Sequence, residues 1–230
     1  LAIKLKVTLL THTPNPEKVI AIAARQCYSR LSAIEIAENI KEEDIERMIK
    51  IIMERGHFSV LEHAYFTFAI EGVSRVCTHQ LVRHRIASYS QQSQRHVKIE
   101  EDFIIPDTIK ENEKAKEIFN ETLELCRRNY KKLIEMGIPI EDARYILPQA
   151  SPTKIIVTMN ARALLNFFEL RCCLMAQWEI RRVAEEMLSL VKKVAPHVFE
   201  KAGPFCVTRN ICPEKKYDCP KWIEIHKLSK

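Results

Sequence analysis

The sequence predicts an α+β fold, a mixed and largely antiparallel sheet packed with long helices, and two observations predict it. Short strand-like alternations are separated by helical periodicities of unequal and mostly long length, which suits an α+β arrangement better than the even βαβ repeat of a parallel sheet. The chain of 230 residues is 47% apolar, ample for a buried core. No linker, internal repeat or low-complexity run divides it, so residues 1–202 are expected to form one catalytic-sized domain and residues 203–230 a Cys-containing tail.

Each element has its own signal. Residues 3–10 alternate as a strand, and Asn15-Pro16 reads as the cap of a helix reaching Cys27, with proline at the first helical position. A helix from Glu43 to Arg55 is stopped by Gly56, and Ser59 with Glu62 three residues on has the pattern of a capping box. Tyr65 to Glu71 alternates as a strand; 73–83 reads as a helix with Arg75, His79 and Arg83 on one face and Val73, Cys77 and Leu81 on another. Ser88 to Gln94 is an unbroken run of hydrogen-bonding side chains without an apolar stripe, hence a loop or irregular strand. A long amphipathic helix is expected from Thr108 to Met136, ended by Gly137, and a short one from Ile140 to Ile146 before Pro148. Ile155 to Thr158 reads as a strand, Asn160 as the cap of a helix to Leu170, and 175–200 as a last long helix.

Composition excludes several classes. No apolar run approaches the roughly 20 residues of a membrane span, and Lys4 and Lys6 alternate with Ile3, Leu5 and Val7 as a strand does rather than as a leader, so a cytoplasmic protein without a membrane partner is expected. The net charge of +6 is modest; its distribution says more. No carboxylate lies between Glu71 and Glu100, a window holding Arg75, Arg83, Arg85, Arg95 and Lys98, and none from Ala143 to Phe168, a window holding Arg144, Lys154 and Arg162. These windows point to an anion site. With only four glycines, none grouped as a dinucleotide fingerprint or P-loop, phosphates must be held by Arg, Ser, Gln and Asn side chains or helix N-termini.

Three constellations carry the candidate chemistry. Gln80-x-x-Arg83-His84-Arg85, continuing through Ser88, Ser90, Gln91 and Ser93 to Arg95, offers planar guanidinium forks for phosphate and neutral groups for its remaining oxygens. Asn160-x-Arg162-x3-Asn166-x2-Glu169-x-Arg171 puts Arg162, Asn166 and Glu169 on one helix face, and an Asn flanked by Leu165 and Phe167 calls for a partner or ligand. His57, Glu62 and His63 invite a metal-hydrolase reading, but neither zincin spacing is present. Cys206, Cys212 and Cys219 are spaced C-x5-C and C-x6-C rather than in C-x2-C pairs, so no metal is predicted there either. Cys27, Cys77, Cys126, Cys172 and Cys173 fall in helical segments as buried, reduced thiols. Cys77 lies on the apolar side of its helix, which leaves no enzyme nucleophile beside the arginines. A competing reading is a non-enzymatic nucleotide- or RNA-binding protein using the basic 73–98 segment, where Tyr89 is the one aromatic available for base stacking.

Arg83-His84-Arg85-x7-Ser93, continuing as Ile86-Ala87-Ser88-Tyr89-Ser90-Gln91-Gln92-Ser93-Gln94-Arg95, resembles the signature of the flavin-dependent thymidylate synthases (the ThyX family). The His57–His63 block, Asn160-Ala161-Arg162 through Arg171, and Ala176-Gln177-Trp178-Glu179 are similar to that family in the expected order, over roughly residues 3–200. The resemblance implies conversion of dUMP to dTMP, with 5,10-methylenetetrahydrofolate as carbon donor, NADPH as reductant and FAD carrying the hydride, in a homotetramer with shared active sites and no nucleic-acid partner. By position it implies that Gln80, Arg83, Gln91, Gln92, Ser93, Gln94, Arg95, Arg144 and Arg171 hold dUMP. It likewise implies that Ser59, Arg83, His84, Arg85, Gln91, Asn160, Arg162 and Asn166 hold FAD, and that Arg171 is the catalytic residue, stabilising negative charge on the uracil. Ser93 is then a ligand rather than a nucleophile. Gln91 departs from the family, some members of which carry Glu there.

Overall fold

The computed structural model describes residues 4–98 and 102–227. Strand β1 (Lys6–His12) realises the opening alternation slightly later than expected; Ile3 lies outside the described residues. Helix α1 (Pro16–Gln26) starts on proline, but Asn15 does not cap it with its side chain. Asn15 sits in the left-handed region at φ 47, not the extended backbone from which a capping side chain reaches the first turn. Helix α2 (Ala33–Asn39) was not foreseen, although Ser32 and Glu35 form a full capping box. Helix α3 (Glu42–Arg55) ends at Gly56, whose φ of 71 is one that only glycine adopts without strain. The expected capping box at Ser59 is corrected: Phe58–His63 is a 3-10 helix with His57 at its cap and no side-chain capping bond.

Strand β2 (Tyr65–Ser74) runs three residues past the expected end, and Ser74 then caps helix α4 (Arg75–Leu81) by accepting the Cys77 N–H at 3.1 Å. The helix is therefore shorter than 73–83, and Arg83 falls beyond it. The polar run forms the short strand β3 (Ser88–Gln91). The helix expected over 108–136 is divided into α5 (Asp107–Lys110) and α6 (Glu113–Glu135), because Asn112 accepts the Ala115 N–H at 3.1 Å and starts a new helix. Helix α7 (Ile140–Ala143) passes into a 3-10 turn at Arg144–Ile146. Strand β4 (Pro152–Asn160) leads directly into α8 (Ala161–Arg171), capped as predicted by Asn160, which accepts the Ala163 N–H at 2.8 Å. The expected 175–200 helix breaks before Pro196 into α9 (Trp178–Val194) and α10 (Pro196–Phe199), since proline lacks the donor that would continue it. The tail holds α11 (Phe205–Thr208) and α12 (Pro220–His226).

The four strands pair antiparallel in the order β1-β2-β4-β3. The α+β class therefore holds. The chain groups into two compact units: one holds Ile70–Arg83 and Ser90–Ile156 with the chain up to Lys6, the other Val7–Ala69, His84–Tyr89 and the chain from Val157 on. In the first, α6 buries only Leu123 and Tyr130, and Gln92 donates its N–H to the Lys154 carbonyl at 2.9 Å, continuing the β3–β4 pairing.

The second unit holds most of the apolar core. Helix α9 buries Ile180, Val183, Ala184, Met187 and Val191, an i, i+3, i+4, i+7, i+11 stripe. Phe66, Phe167, Phe168 and Phe199 meet edge to face with ring centroids 5.6 to 6.0 Å apart. Phe168 is fully buried at the centre of that chain of rings, so Phe168→Ala is expected to cost about 3–5 kcal/mol of stability, read as a lowered denaturant midpoint. A buried carboxylate, Glu17, accepts the backbone N–H groups of His197 (2.7 Å) and Val198 (3.0 Å) and so ties α1 to the start of α10. Its other oxygen lies 2.8 Å from His197 Nδ1 and raises the pKa of that imidazole.

Candidate active site

In the first unit the arginines converge on the turn after β3. Ser93 accepts the Arg95 N–H through its hydroxyl at 3.2 Å and the Val97 N–H through its carbonyl at 3.0 Å, which bends the chain there. Arg95 Nε donates to Glu141 at 2.7 Å, and Arg144 Nε donates to the Glu141 carbonyl at 3.0 Å, so one residue of α7 gathers two of the predicted dUMP ligands. Arg75, on the first turn of α4, donates through Nη2 to the Gln92 carbonyl at 3.1 Å. Its Nε is buried with no hydrogen-bond partner, and its pKa is lowered first by burial and then by the like charge of Arg144. An unpaired buried donor beside a second guanidinium is the electrostatic signature of a place that an anion completes. Gln80 and Gln94 are half-buried in this unit and Arg83 is exposed.

Gln91 is turned to a structural task. Its Nε2 donates to Thr78 Oγ1 at 3.0 Å and to Thr153 Oγ1 at 3.1 Å, both threonines being buried. Thr78 in turn donates its hydroxyl to the Arg75 carbonyl at 3.2 Å, so it presents only a lone pair to residue 91. A carboxylate has no proton to offer it. Gln91→Glu is therefore expected to lose about 1–3 kcal/mol of stability, measured by denaturant unfolding, rather than behave as a neutral exchange.

In the second unit the order of contacts runs through His84. Tyr89 donates its hydroxyl to the His84 carbonyl at 2.8 Å, and the imidazole meets Phe167 edge to face at 4.8 Å. Arg171, the last residue of α8, donates its Nε to His84 Nε2 at 3.0 Å. Burial, reinforced by the Arg171 charge, lowers the His84 pKa to about 4. His84 is thus neutral near pH 7, its proton on Nδ1 and its Nε2 lone pair on the arginine. Because the fold favours the neutral ring, its contribution to stability is full above the ordinary pKa of 6.5 and is lost as pH falls toward 4. His197, raised instead, contributes below 6.5 and loses its share as pH rises. For half-exposed His84 the loss is roughly 1–2 kcal/mol after allowance for solvent screening, checked by comparing denaturant midpoints at pH 7 and pH 4 in wild type and His84→Gln.

The rest of the α8 constellation separates. Asn160 is buried as the helix cap, Arg162 Nη1 pairs with Glu62 at 2.6 Å, and Asn166, Arg85 and Ser59 are exposed. Glu169 keeps the helical spacing expected of it but is buried against the tail, where it meets Thr208 and Arg209. Glu62 is thereby engaged with arginine, and among the described residues no group of three His, Cys, Asp or Glu side chains converges to hold a metal ion. Tyr89, the one aromatic residue of the 73–98 segment, is half-buried and donates its hydroxyl to the His84 carbonyl. Cys77 is buried at the N-terminal turn of α4, as expected, and Cys172 is buried with its thiol pushed up to about 12, while Cys27 is exposed and Cys126 and Cys173 are half-buried, contrary to the buried thiols expected. Among the described residues no helix is long and apolar enough to cross a membrane.

Arg75 and Glu141 contribute to the site although neither is among the residues predicted from sequence to bind nucleotide or flavin. Arg75 stood in the first carboxylate-free window, but its value depends on Gln92 and Arg144, distant in sequence. Glu141 lies one turn before Arg144, and nothing in its spacing marks it.

Comparison with known proteins identifies the family. Residues 8–197 match the family model described as thymidylate synthase complementing protein. The chain is 51% identical over 227 residues to a flavin-dependent thymidylate synthase of Geobacter sulfurreducens, covering 97% of each, and 49% identical over 223 residues to that of Pyrococcus furiosus, covering 91% and 90%. Among solved structures it resembles a UMP/dUMP methylase, PolB of Streptomyces cacaoi, bound with 5-Br dUMP, at a TM-score of 0.76 and 24% identity, covering 86% of this chain and 93% of that one, which supports the fold. With the Arg83-His84-Arg85-x7-Ser93 signature and the α8 constellation both lying within the matched region, the chain belongs to the flavin-dependent thymidylate synthase family.

Proposed function

We propose that this chain converts dUMP to dTMP, taking the carbon from 5,10-methylenetetrahydrofolate and reducing equivalents from NADPH through FAD, without an enzyme nucleophile. In this reading it works in the cytoplasm as a homotetramer with active sites shared between subunits, residues 1–202 forming the catalytic domain and 203–230 a tail. The observation that carries it is the state of Arg171: a guanidinium oriented through Nε by a histidine that burial keeps neutral. As the uracil N3 loses its proton, Arg171 stabilises the negative charge spreading over the ring, which makes C5 nucleophilic without a cysteine adduct at C6. The buried Cys77 is consistent with this, being no attacking group.

Arg95 and Arg144, gathered by Glu141, with Gln92, Ser93, Gln94, Gln80 and Arg83, supply the donors for the nucleotide. The flavin diphosphate falls to Arg85 and Arg162 with Ser59, Asn166, Asn160 and His84, together with Arg83, a set of guanidinium, amide and hydroxyl groups that suits a diphosphate in a chain without a glycine cradle. Bound FAD supplies the hydride chemistry, which belongs to the cofactor rather than to the protein. The purified chain incubated with FAD and passed through a desalting column is expected to stay yellow, with absorbance near 450 nm, on the order of any oxidised flavoprotein. A colourless protein that FAD cannot reconstitute contradicts the proposal.

A further inference from the structure

The tail after Ala202 is clasped to the helix that carries Arg171. Glu169 Oε1 accepts Arg209 Nε at 2.7 Å and the Thr208 hydroxyl at 2.8 Å, while Oε2 accepts Arg209 Nη2 at 2.8 Å. The guanidinium also lies 5.1 Å over the Phe205 ring. Glu169 is only 9% exposed at its side chain, in the last turn of α8, two residues before Arg171. A carboxylate there faces the negative end of the helix dipole, an arrangement that is unfavourable unless a cation offsets it. The two-pronged Arg209 is that cation, and its hydrogen bond to Glu169 raises its own pKa. Without it, a buried carboxylate is left uncompensated at the helix end, which destabilises the last turn of α8, the turn that carries Arg171.

We propose that Arg209 is a positioning residue for the reaction: its hold on Glu169 fixes the last turn of α8, and so the guanidinium of Arg171 against His84. This rests on the role proposed above for Arg171, and it gives the Cys-bearing tail a task in the chemistry beyond covering the core. The thiols take no part in it.

The test compares Arg209→Met, Arg209→Lys and Thr208→Val in the full chain loaded with FAD, each by thermal unfolding, by kcat and KM for dUMP below the unfolding range, and by NMR titration of His84. Arg209→Met is expected to lower kcat about 10-fold or more, as small misplacements of catalytic groups do, with KM within about 2-fold, and to raise the His84 pKa as the Arg171 charge withdraws, burial still holding it below the ordinary value. Arg209→Lys, which keeps the charge but not the fork, should fall between it and wild type. A folded Arg209→Met with an unmoved His84 titration overturns the proposal, whether kcat falls or not. If that variant does not fold, Arg209→Lys and Thr208→Val decide by the same titration. A wild-type chain with no dUMP turnover sinks the functional reading alone, since the His84 titration still reports on the clasp.

Discussion

Arg171→Ala is expected to abolish turnover, lowering kcat by about 100- to 1,000-fold, the effect of removing one preorganised charge-stabilising donor. The loss should appear in kcat and kcat/KM together, because the interaction strengthens only as charge develops on the uracil. Arg171→Lys should restore little: an ammonium cannot place one N–H on His84 Nε2 and present a planar donor face from the same group. Cys77→Ala in the same assay should keep kcat within about 2-fold, since its thiol is buried and no step passes through it. Steady-state rates of the three variants decide the point; a dead Cys77→Ala that remains folded would reverse the no-nucleophile reading.

The second large effect is expected at the anion site. Arg144 lies close enough to Arg75 to lower its pKa, and Arg75 has a buried Nε without a partner. Charge-assisted hydrogen bonds to a phosphate contribute about 1.5–3 kcal/mol each. Arg144→Met should therefore raise the KM for dUMP about 10- to 100-fold with kcat little changed, because the phosphate is held equally in ground and transition states. The same variant should relieve Arg75 of a like charge, so the folded protein should be no less stable than wild type. A drop in kcat at unchanged KM would place Arg144 in the chemistry rather than in binding. Raised ionic strength should weaken dUMP binding in wild type more than in the variant.

What the sequence made legible was local. Asn160 announced α8 because a side-chain cap reaches only three residues along the chain, and Gly56 announced the end of α3 for a similar reason. The signature from Arg83 to Arg95 and the α8 constellation were equally readable as types of donor in order. Misreadings came where two local signals competed. Apolar periodicity ran through Asn112, but its cap divided the helix; Ser74 capped α4 where the periodicity began at Val73, and the helix ended before reaching Arg83. Helix α2 carries a capping box but little buried surface, with Ile36 its one buried residue, so it has no apolar stripe to mark it as a helix.

Non-local pairings were not legible at all. Glu169 and Arg209 are 40 positions apart, Arg171 and His84 are 87, and neither distance leaves a trace in periodicity or composition. His84 shows the consequence. Burial against Phe167 and the neighbouring Arg171 make it neutral, so that it orients a cation instead of adding one.

The reaction proposed for this chain is flavin-dependent methylation of dUMP without an enzyme nucleophile, and its most direct measurement is product formation by the FAD-loaded chain supplied with dUMP, 5,10-methylenetetrahydrofolate and NADPH. The expected result is dTMP in step with NADPH oxidised, absent when dUMP or FAD is omitted, and retained in Cys77→Ala. No dTMP from a folded, flavin-bound protein, or dTMP formed equally well without flavin, contradicts it.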